Sequence, residues 1–432
     1  MKVASLKTNT ITATCPACGL LCDDIVLKNN KVANTNCPKA IAFFEESLTD
    51  ALPQINGKPA TLQQAIAQAA KLIKASQQPL FTGLSTDVAG FRSLFNLAQK
   101  TNATLQHMNV QSMARNMKVL QRTGWQTTTL TEVKNRADVI VCFGDINAHN
   151  PRFFERFVDC DGMFVTAKNR QVIIFNPVKN NNNFKNDVAA LKHSSASLAA
   201  ALVLPCRADD LPSITIALRA FVAGKALKAT RVASVKVSDL QAVADKLKAA
   251  KYAVLTWVAK DFDFNHAELT IQNITETVAI LNKTTRAAGL PLGGSDGDTT
   301  ANNANTWLTG LALNDEVIEH DLMIWVNSFN PEALLSKQPP ATDKPLIIIG
   351  NANLVGAATR REASLGDAEM LSRRVAAPTN TQDVFIPIAT PGLDCNGSLF
   401  RVDSAVILPL KKVRENNLPT LAVVISQIES LL

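Results

Sequence analysis

Residues 15–40 read CPACGLLCDDIVLKNNKVANTNCPKA and hold four of the eight cysteines of this 432-residue chain. The four residues, Cys15, Cys18, Cys22 and Cys37, are spaced C-x2-C-x3-C-x14-C. Three thiolates on one short loop, with a fourth from farther along the chain, supply the soft ligands that a cubane iron–sulfur cluster needs. A tetrahedral zinc site uses overlapping spacings, and four free buried thiols are a third interpretation.

The stretch between Cys22 and Cys37 predicts how the fourth cysteine returns to the loop. Two short apolar segments, Ile25–Leu27 and Lys31–Ala33, flank an Asn29-Asn30 turn, which is the pattern of a β-hairpin. Such a hairpin would bring Cys37 towards the first three cysteines. A cluster at this site implies electron transfer, so the remainder of the chain should supply a group that exchanges electrons.

The composition is that of a globular chain with roughly two to four domains, since 47% of residues are hydrophobic and 19% are charged. Aromatic residues make up only 5%, and the basic residues behind the net charge of +7 are scattered. These features argue against a nucleic-acid partner. The first residues lack an apolar signal segment and no apolar run is long enough to span a membrane, so we expect a cytoplasmic protein with no membrane contact.

From about residue 60 the pattern is typical of an α/β fold. Residues 60–76 have helical spacing with Thr61 as the cap, and a second helix is predicted from about Gly90 to Lys100. The apolar segment Leu418–Leu432 is predicted to be either a docking element or the last element of the core. Continuous apolar runs predict strands of parallel sheets that are covered on both faces. These runs are Leu80–Leu84, Val139–Phe143, Val172–Phe175, Ala253–Trp257, Leu322–Val326 and Leu346–Ile349.

Several motifs follow the cysteines in a fixed order. They are Thr131–Asp138, Gly293–Asp298 with Trp307–Gly310, and Asp383–Pro387 followed by Gly392, Gly397, Arg401 and Asp403. Together with the cysteine segment, they make the chain resemble the B subunit of formylmethanofuran dehydrogenase, a family of the molybdopterin oxidoreductases. The similarity extends over nearly the whole chain.

The resemblance implies a molybdopterin-oxidoreductase-like fold with two Rossmann-like α/β domains and no C-terminal capping β-barrel. We expect a 4Fe-4S type cysteine module over residues 1–54 and a discontinuous domain over residues 55–111 and 290–432. A second domain, over residues 112–289, would be inserted into it. In the family, the N-terminal cysteines hold the cluster, and a bis-pterin molybdenum or tungsten centre lies in the cleft between the two domains.

The chain departs from the family at the metal. The family ligand is a cysteine or selenocysteine before the Thr131–Asp138 motif, but no cysteine lies between Cys37 and Cys142, and Ser112 occupies the expected position. A hydroxyl is a poorer ligand than a thiolate for a soft metal. The resemblance places two histidines near the cleft, His107 and His149, and no catalytic residue is assigned.

The missing thiol makes the chain look most like the B subunit of the bacterial formyltransferase/hydrolase complex. That complex acts in tetrahydromethanopterin-linked oxidation of formaldehyde to formate in methylotrophs. The resemblance implies a redox-inactive scaffold whose partners are amidohydrolase-like A, C and formyltransferase D subunits, with a methanofuran-like carrier bound through them. It implies a structural or absent 4Fe-4S cluster and no bis-pterin centre.

Two other hypotheses remain open. The first is an active molybdenum or tungsten dehydrogenase subunit, with the metal held by Ser112 or by pterin sulfurs alone. The second is a zinc-stabilised α/β binding protein unrelated to one-carbon chemistry. The glycine-rich loop, Gly293–Asp298, bears on the choice, because Asp296 and Asp298 would repel the pterin phosphates that such loops approach in the redox family. The alternative is that Asp296 and Asp298 are ordinary loop residues. Arg401 and Asp403 are predicted to be either site residues or an ion pair that fixes the terminal fold.

Overall fold

The structure, a computed structural model, describes residues 10–47, 51–177, 195–313, 315–316, 318–329, 342–351 and 384–432. Its helices are α1 (Pro38–Phe44), α2 (Leu62–Ala75), α3 (Val88–Thr101), α4 (Val110–Thr123), α5 (Leu130–Arg136), α6 (Ile146–His149), α7 (Phe153–Phe157), α8 (Ala196–Ala199), α9 (Leu211–Val222), α10 (Val237–Ala249), α11 (Ala267–Leu281), α12 (Asp298–Thr309) and α13 (Leu421–Glu429). Short 3-10 turns cover Ala167–Asn169, Ala208–Asp210 and Ala259–Asp261.

The strands are β1 (Thr10–Ala13), β2 (Ile25–Lys28), β3 (Lys31–Val32), β4 (Gln54–Ile55), β5 (Lys58–Pro59), β6 (Pro79–Ser85), β7 (Thr104–His107), β8 (Val139–Phe143), β9 (Gln171–Pro177), β10 (Leu202–Cys206), β11 (Arg231–Val232), β12 (Val235–Lys236), β13 (Ala253–Trp257), β14 (Ala287–Pro291), β15 (Leu322–Asn327), β16 (Leu346–Asn351), β17 (Val384–Ile388), β18 (Gly397–Phe400) and β19 (Ile407–Leu410). The chain forms two compact units, Met1–Val110 with Gly294–Leu432, and Gln111–Gly293. Asp383 of the predicted motif lies outside the described residues.

The first unit is built on a seven-stranded sheet with the order β5-β4-β17-β16-β15-β6-β7. The five strands from β17 to β7 are parallel, and β4 pairs with β17 in the antiparallel direction. All seven residues of β6 are buried, as expected for a continuous apolar run with both faces covered. The prediction of an α/β fold with parallel sheets is confirmed.

The helices of this unit begin and end where the sequence provides caps. Thr61 accepts a hydrogen bond from the Gln64 N–H, and the Gln64 side chain accepts one from the Thr61 N–H, which closes a capping box at the start of α2. The apolar terminal segment forms α13, whose buried face packs against α2 and α3. Of the two predicted roles for that segment, the structure therefore shows the core element.

The cysteine segment belongs to the first unit and contains a three-stranded antiparallel sheet, β1-β2-β3. The predicted hairpin is confirmed, because β2 and β3 pair through Leu27 with Val32 and Lys28 with Lys31. Asn29 and Asn30 both have positive φ, 51° and 61°, which is the backbone of a type I′ turn.

The second unit is a five-stranded parallel sheet with the order β10-β9-β8-β13-β14. Helices α9, α10 and α11 contribute to its core, which includes the fully buried Trp257. None of the helices that the structure describes combines the length and the apolar character needed to cross a bilayer.

Candidate functional site

The first three cysteines lie on one tight loop that backbone hydrogen bonds close. The Cys15 N–H donates to the Cys22 carbonyl at 2.8 Å, and the Leu21 N–H donates to the Cys18 carbonyl at 3.2 Å. Cys37 lies immediately before α1, and its own N–H donates to the Thr35 hydroxyl at 3.2 Å. Two separate backbone elements therefore fix the positions of the four thiols.

All four thiols are buried, and they interact with one another. Burial, and then the charge of the neighbouring thiolates, raises the pKa of Cys15 well above its usual value, and all three other cysteines contribute. Burial followed by repulsion from Cys22 raises the pKa of Cys18 to about 12. Without a metal these two thiols are therefore protonated, and binding a metal would release their protons.

Four cysteine thiolates are the donor set both of a four-iron cluster and of a tetrahedral zinc site. Among the described residues, no three His, Cys, Asp or Glu side chains are grouped as the ligands of one metal ion would be. In a four-iron cluster each thiolate binds a different iron atom, so its sulfurs lie farther apart than those that share one zinc ion. The metal that these four thiols would hold stays a prediction.

His107 joins the end of β7 to the glycine-rich loop. It is 1% exposed, and its Nδ1 accepts a hydrogen bond from the Asn109 N–H at 2.9 Å. Its proton is therefore on Nε2, which donates to the Asp296 carbonyl at 3.0 Å. The Asn109 amide group donates to the carboxylates of Asp296 and Asp298 at 3.2 and 3.3 Å. Both ring nitrogens of His107 are thus engaged within the protein.

The glycine-rich loop also packs directly on the cysteine loop. Gly294 has a φ of +73°, and a Cβ placed on it would lie 2.7 Å from the Cα of Gly19. Gly19, between Cys18 and Cys22, also accepts a hydrogen bond from the Val402 N–H at 2.9 Å. Nearby, the Arg401 guanidinium makes a bidentate ion pair with the fully buried side chain of Asp403 at 2.7 Å. The structure shows the predicted ion pair, and its role in the terminal fold stays a prediction.

Unpartnered polar atoms are concentrated at the carboxyl ends of β6 and β15. The hydroxyls of Ser85, Thr86 and Ser328 and the amide nitrogen of Asn327 are buried, with no hydrogen-bond partner in the part of the chain that the structure describes. The two strands are neighbours, since Ser85 pairs with Asn327. Buried polar groups without partners mark a place where a polar ligand or ordered water would be stabilised.

In the second unit, His149 lies beside Asp261. Asp261 was not among the residues predicted from the sequence. His149 ends α6 after β8, and Asp261 ends a 3-10 turn after β13, the strand next to β8. The His149 Nε2 lies 2.8 Å from one Asp261 oxygen, and the other oxygen accepts a hydrogen bond from the Asp145 N–H at 2.7 Å. A carboxylate that holds one ring nitrogen fixes the orientation of the ring.

Ser112, the residue predicted at the position of the metal ligand, lies half-buried in the first turn of α4. Its role as a ligand stays a prediction.

No family model matches the chain. It is 26% identical over 421 residues to the B subunit of the tungsten-containing formylmethanofuran dehydrogenase 2 of Methanococcus maripaludis, with 92% of each chain covered. The protein of the same name from Methanocaldococcus jannaschii is 25% identical over the same shares. The chain is a relative of the formylmethanofuran dehydrogenase B subunit. The resemblance predicted from the motifs is confirmed.

The chain is also similar to a subunit of a bacterial formyltransferase/hydrolase complex. The B subunit of the formyltransferase/hydrolase complex of Methylorubrum extorquens is 33% identical over 91 residues, which cover 21% of this chain and 25% of that protein. A chain in the crystal structure of that complex with methylofuran has a TM-score of 0.65 at 21% identity, covering 88% of this chain and 98% of the other. This structural likeness shows a shared fold.

Proposed function

We propose that the chain is the B subunit of a formyltransferase/hydrolase complex and serves there as a redox-inactive scaffold. The observation that carries the proposal is the loss of the ligand thiol, because no cysteine lies between Cys37 and Cys142 in a chain similar to tungsten-containing dehydrogenase subunits over 92% of its length. In the proposed complex, which acts in cytoplasmic one-carbon metabolism, amidohydrolase-like A, C and formyltransferase D subunits bind the carrier and hydrolyse the formyl group. The two units would then be the Rossmann-like domains of a molybdopterin-oxidoreductase-like fold.

The contacts of His107 and the glycine-rich loop support this proposal. The His107 Nε2 donates to the loop at the Asp296 carbonyl, and its Nδ1 accepts from the Asn109 N–H, so we assign it a structural role. The carboxylates of Asp296 and Asp298 both accept from Asn109, which places two negative charges close together in the loop. Such a loop disfavours the phosphates of a pterin dinucleotide.

The cysteine loop is proposed to keep a 4Fe-4S cluster in a structural role. Cys15, Cys18, Cys22 and Cys37 would hold it, and a bound cluster can carry one electron when a partner group is present. The chain itself contributes a buried, closed loop that is tied through Gly19 to Val402 and packed against Gly294. A chain that has lost the redox centre would still benefit from the four cysteines, because metal binding also stabilises the folded loop.

An active dehydrogenase subunit is the second candidate, and the unpartnered polar atoms favour it. Ser85, Thr86, Asn327 and Ser328 lie at the carboxyl ends of parallel strands, where α/β proteins bind their ligands. A bis-pterin molybdenum or tungsten centre would satisfy such groups. Ser112 or the pterin sulfurs would then have to hold the metal.

Metal analysis separates these candidates. For the complex purified anaerobically from its own cells, we expect about four iron atoms per chain and neither molybdenum nor tungsten. Elemental analysis by mass spectrometry measures iron, molybdenum, tungsten and zinc together. Stoichiometric molybdenum or tungsten would establish the dehydrogenase instead, and zinc without iron would support the zinc-stabilised binding protein.

His149 provides a second test. Under the scaffold proposal, His149→Ala leaves the formyl hydrolysis rate of the complex within about twofold of the wild-type rate, because the chemistry takes place on other subunits. The rate is measured as formate release from the formylated carrier by the assembled complex. A loss of tenfold or more, with assembly unchanged, would contradict the scaffold role and assign the His149–Asp261 pair to the reaction.

A further inference from the structure

A cavity of about 680 Å³ lies in the second unit, at the end of the sheet opposite His149. Its lining includes Asp138, Tyr252 and Arg286, which directly precede β8, β13 and β14. These are the amino ends of three neighbouring parallel strands, whereas His149 follows the carboxyl end of β8. The cavity is therefore separate from the His149–Asp261 pair.

The charge of the cavity is positive. Arg136, Lys251 and Arg286 are exposed on its lining, and the structure describes no carboxylate paired with Lys251 or Arg286. The acidic residue of the lining, Asp138, accepts hydrogen bonds from the backbone N–H groups of Lys251 and Tyr252 at 2.8 and 2.9 Å. Backbone hydrogen bonds stabilise the charge of Asp138, so Lys251 and Arg286 remain available to an anionic ligand.

Two large apolar side chains are displayed at the same cavity. Met163 is 77% exposed and Phe164 is 62% exposed. The Arg136 guanidinium lies over the Phe164 ring, 4.3 Å from its centroid, and also pairs with Glu132 at 2.7 Å. An exposed aromatic ring and a methionine beside arginine form the combination that is enriched at the centre of protein interfaces.

The loop that carries these side chains is held in place. The Phe164 N–H donates to the Asn135 carbonyl at 2.9 Å, and the Met163 N–H donates to the Asn135 side chain at 3.3 Å. Gly162 packs so closely on the Lys134 carbonyl that no Cβ could be accommodated there. The exposure of Met163 and Phe164 is thus a fixed feature of the surface, and a prearranged surface loses less entropy on binding.

We propose that this surface, formed by Arg136, Met163, Phe164, Lys251, Tyr252 and Arg286, docks an acidic segment of another protein subunit. Carboxylates of that segment bind Lys251 and Arg286, and an apolar side chain packs against Phe164 and Met163. A small anion would satisfy the cations but would leave both apolar side chains in water, which favours a protein as the occupant. This inference rests on the proposed function, because it requires that the chain works within a complex.

Charge reversal tests the surface. The double variant Lys251→Glu/Arg286→Glu is expressed in the cells that make the complex. The complex is purified through a tag on this chain, and native mass spectrometry measures which subunits it contains. We expect the dissociation constant of one subunit to rise by about tenfold or more, and Phe164→Ser to weaken the same subunit. The control Lys225→Glu/Lys228→Glu makes the same change of net charge on exposed residues of the same unit that do not line the cavity.

The outcomes separate this inference from the proposed function. If wild-type protein carries no other subunit, both fail. If the wild-type complex forms and the double variant retains every subunit with unchanged affinity, only the docking surface is overturned. If the double variant retains every subunit but calorimetry shows that it no longer binds inorganic phosphate, the cavity would be assigned to a small anion. Unchanged melting temperatures of the variants would exclude unfolding as the cause of subunit loss.

Discussion

Replacing Cys15 with serine is expected to remove the iron from the purified complex, from about four atoms per chain to fewer than about one. Cys15 is the informative position because the three other cysteines all act on its thiol. A serine hydroxyl deprotonates far less readily than a thiol and is a hard donor, so it does not replace a thiolate at a soft metal. Iron analysis together with the visible absorbance of the cluster measures the loss.

The control for this change is Cys160→Ser. Cys160 is half-buried in the second unit and donates a hydrogen bond to the Arg156 carbonyl, which a hydroxyl can also do. That variant should retain its iron. Iron that persists in Cys15→Ser would place the metal elsewhere in the complex. If the complex stays assembled, the scaffold proposal also requires that Cys15→Ser preserve formyl hydrolysis.

The sequence predicted the strands of the sheet centres better than those of their edges. β8, β13 and β15 consist mostly of apolar residues, and all of their residues are buried. The edge strands β10 and β14 were missed. β10 contains Pro205, which sheets tolerate at an edge, and β14 consists largely of small residues. The proline obscures an otherwise apolar run in β10, and the small residues of β14 weaken its apolar signal.

At the candidate sites, local features could be predicted from the sequence, whereas contacts between distant residues could not. The cysteine spacing and the Asn29-Asn30 turn are local features, so the hairpin could be predicted from them. The pairing of His149 with Asp261 joins residues 112 positions apart, and it exists because β8 and β13 are adjacent in the sheet. The unpartnered atoms at β6 and β15 likewise depend on strand order. A single sequence contains no local signal for which strands become neighbours, although polar residues such as Asn327 and Ser328 do mark the ends of strands.

Replacing Gly294 with alanine is expected to lower the free energy of unfolding by about 3 kcal/mol, from the combined strain of a left-handed backbone and of overpacking. The backbone at Gly294 has a φ of +73°, and the added methyl group would meet the Cα of Gly19 at 2.7 Å. Gly19 belongs to the cysteine loop and cannot move without displacing Cys18 and Cys22. Urea unfolding measures the loss, and a fall in iron content should accompany it.

The adjacent residue offers a matched control. A Cβ on Gly293 would meet no atom within 4 Å, and its φ lies outside the left-handed region. Gly293→Ala should therefore change the free energy of unfolding by less than about 1 kcal/mol, because alanine mainly restricts the unfolded chain there. Equal effects of the two substitutions would contradict the inferred packing of the loop on the cysteine segment. A stability loss at Gly294 without loss of iron would instead show that the thiols hold their metal independently of this contact.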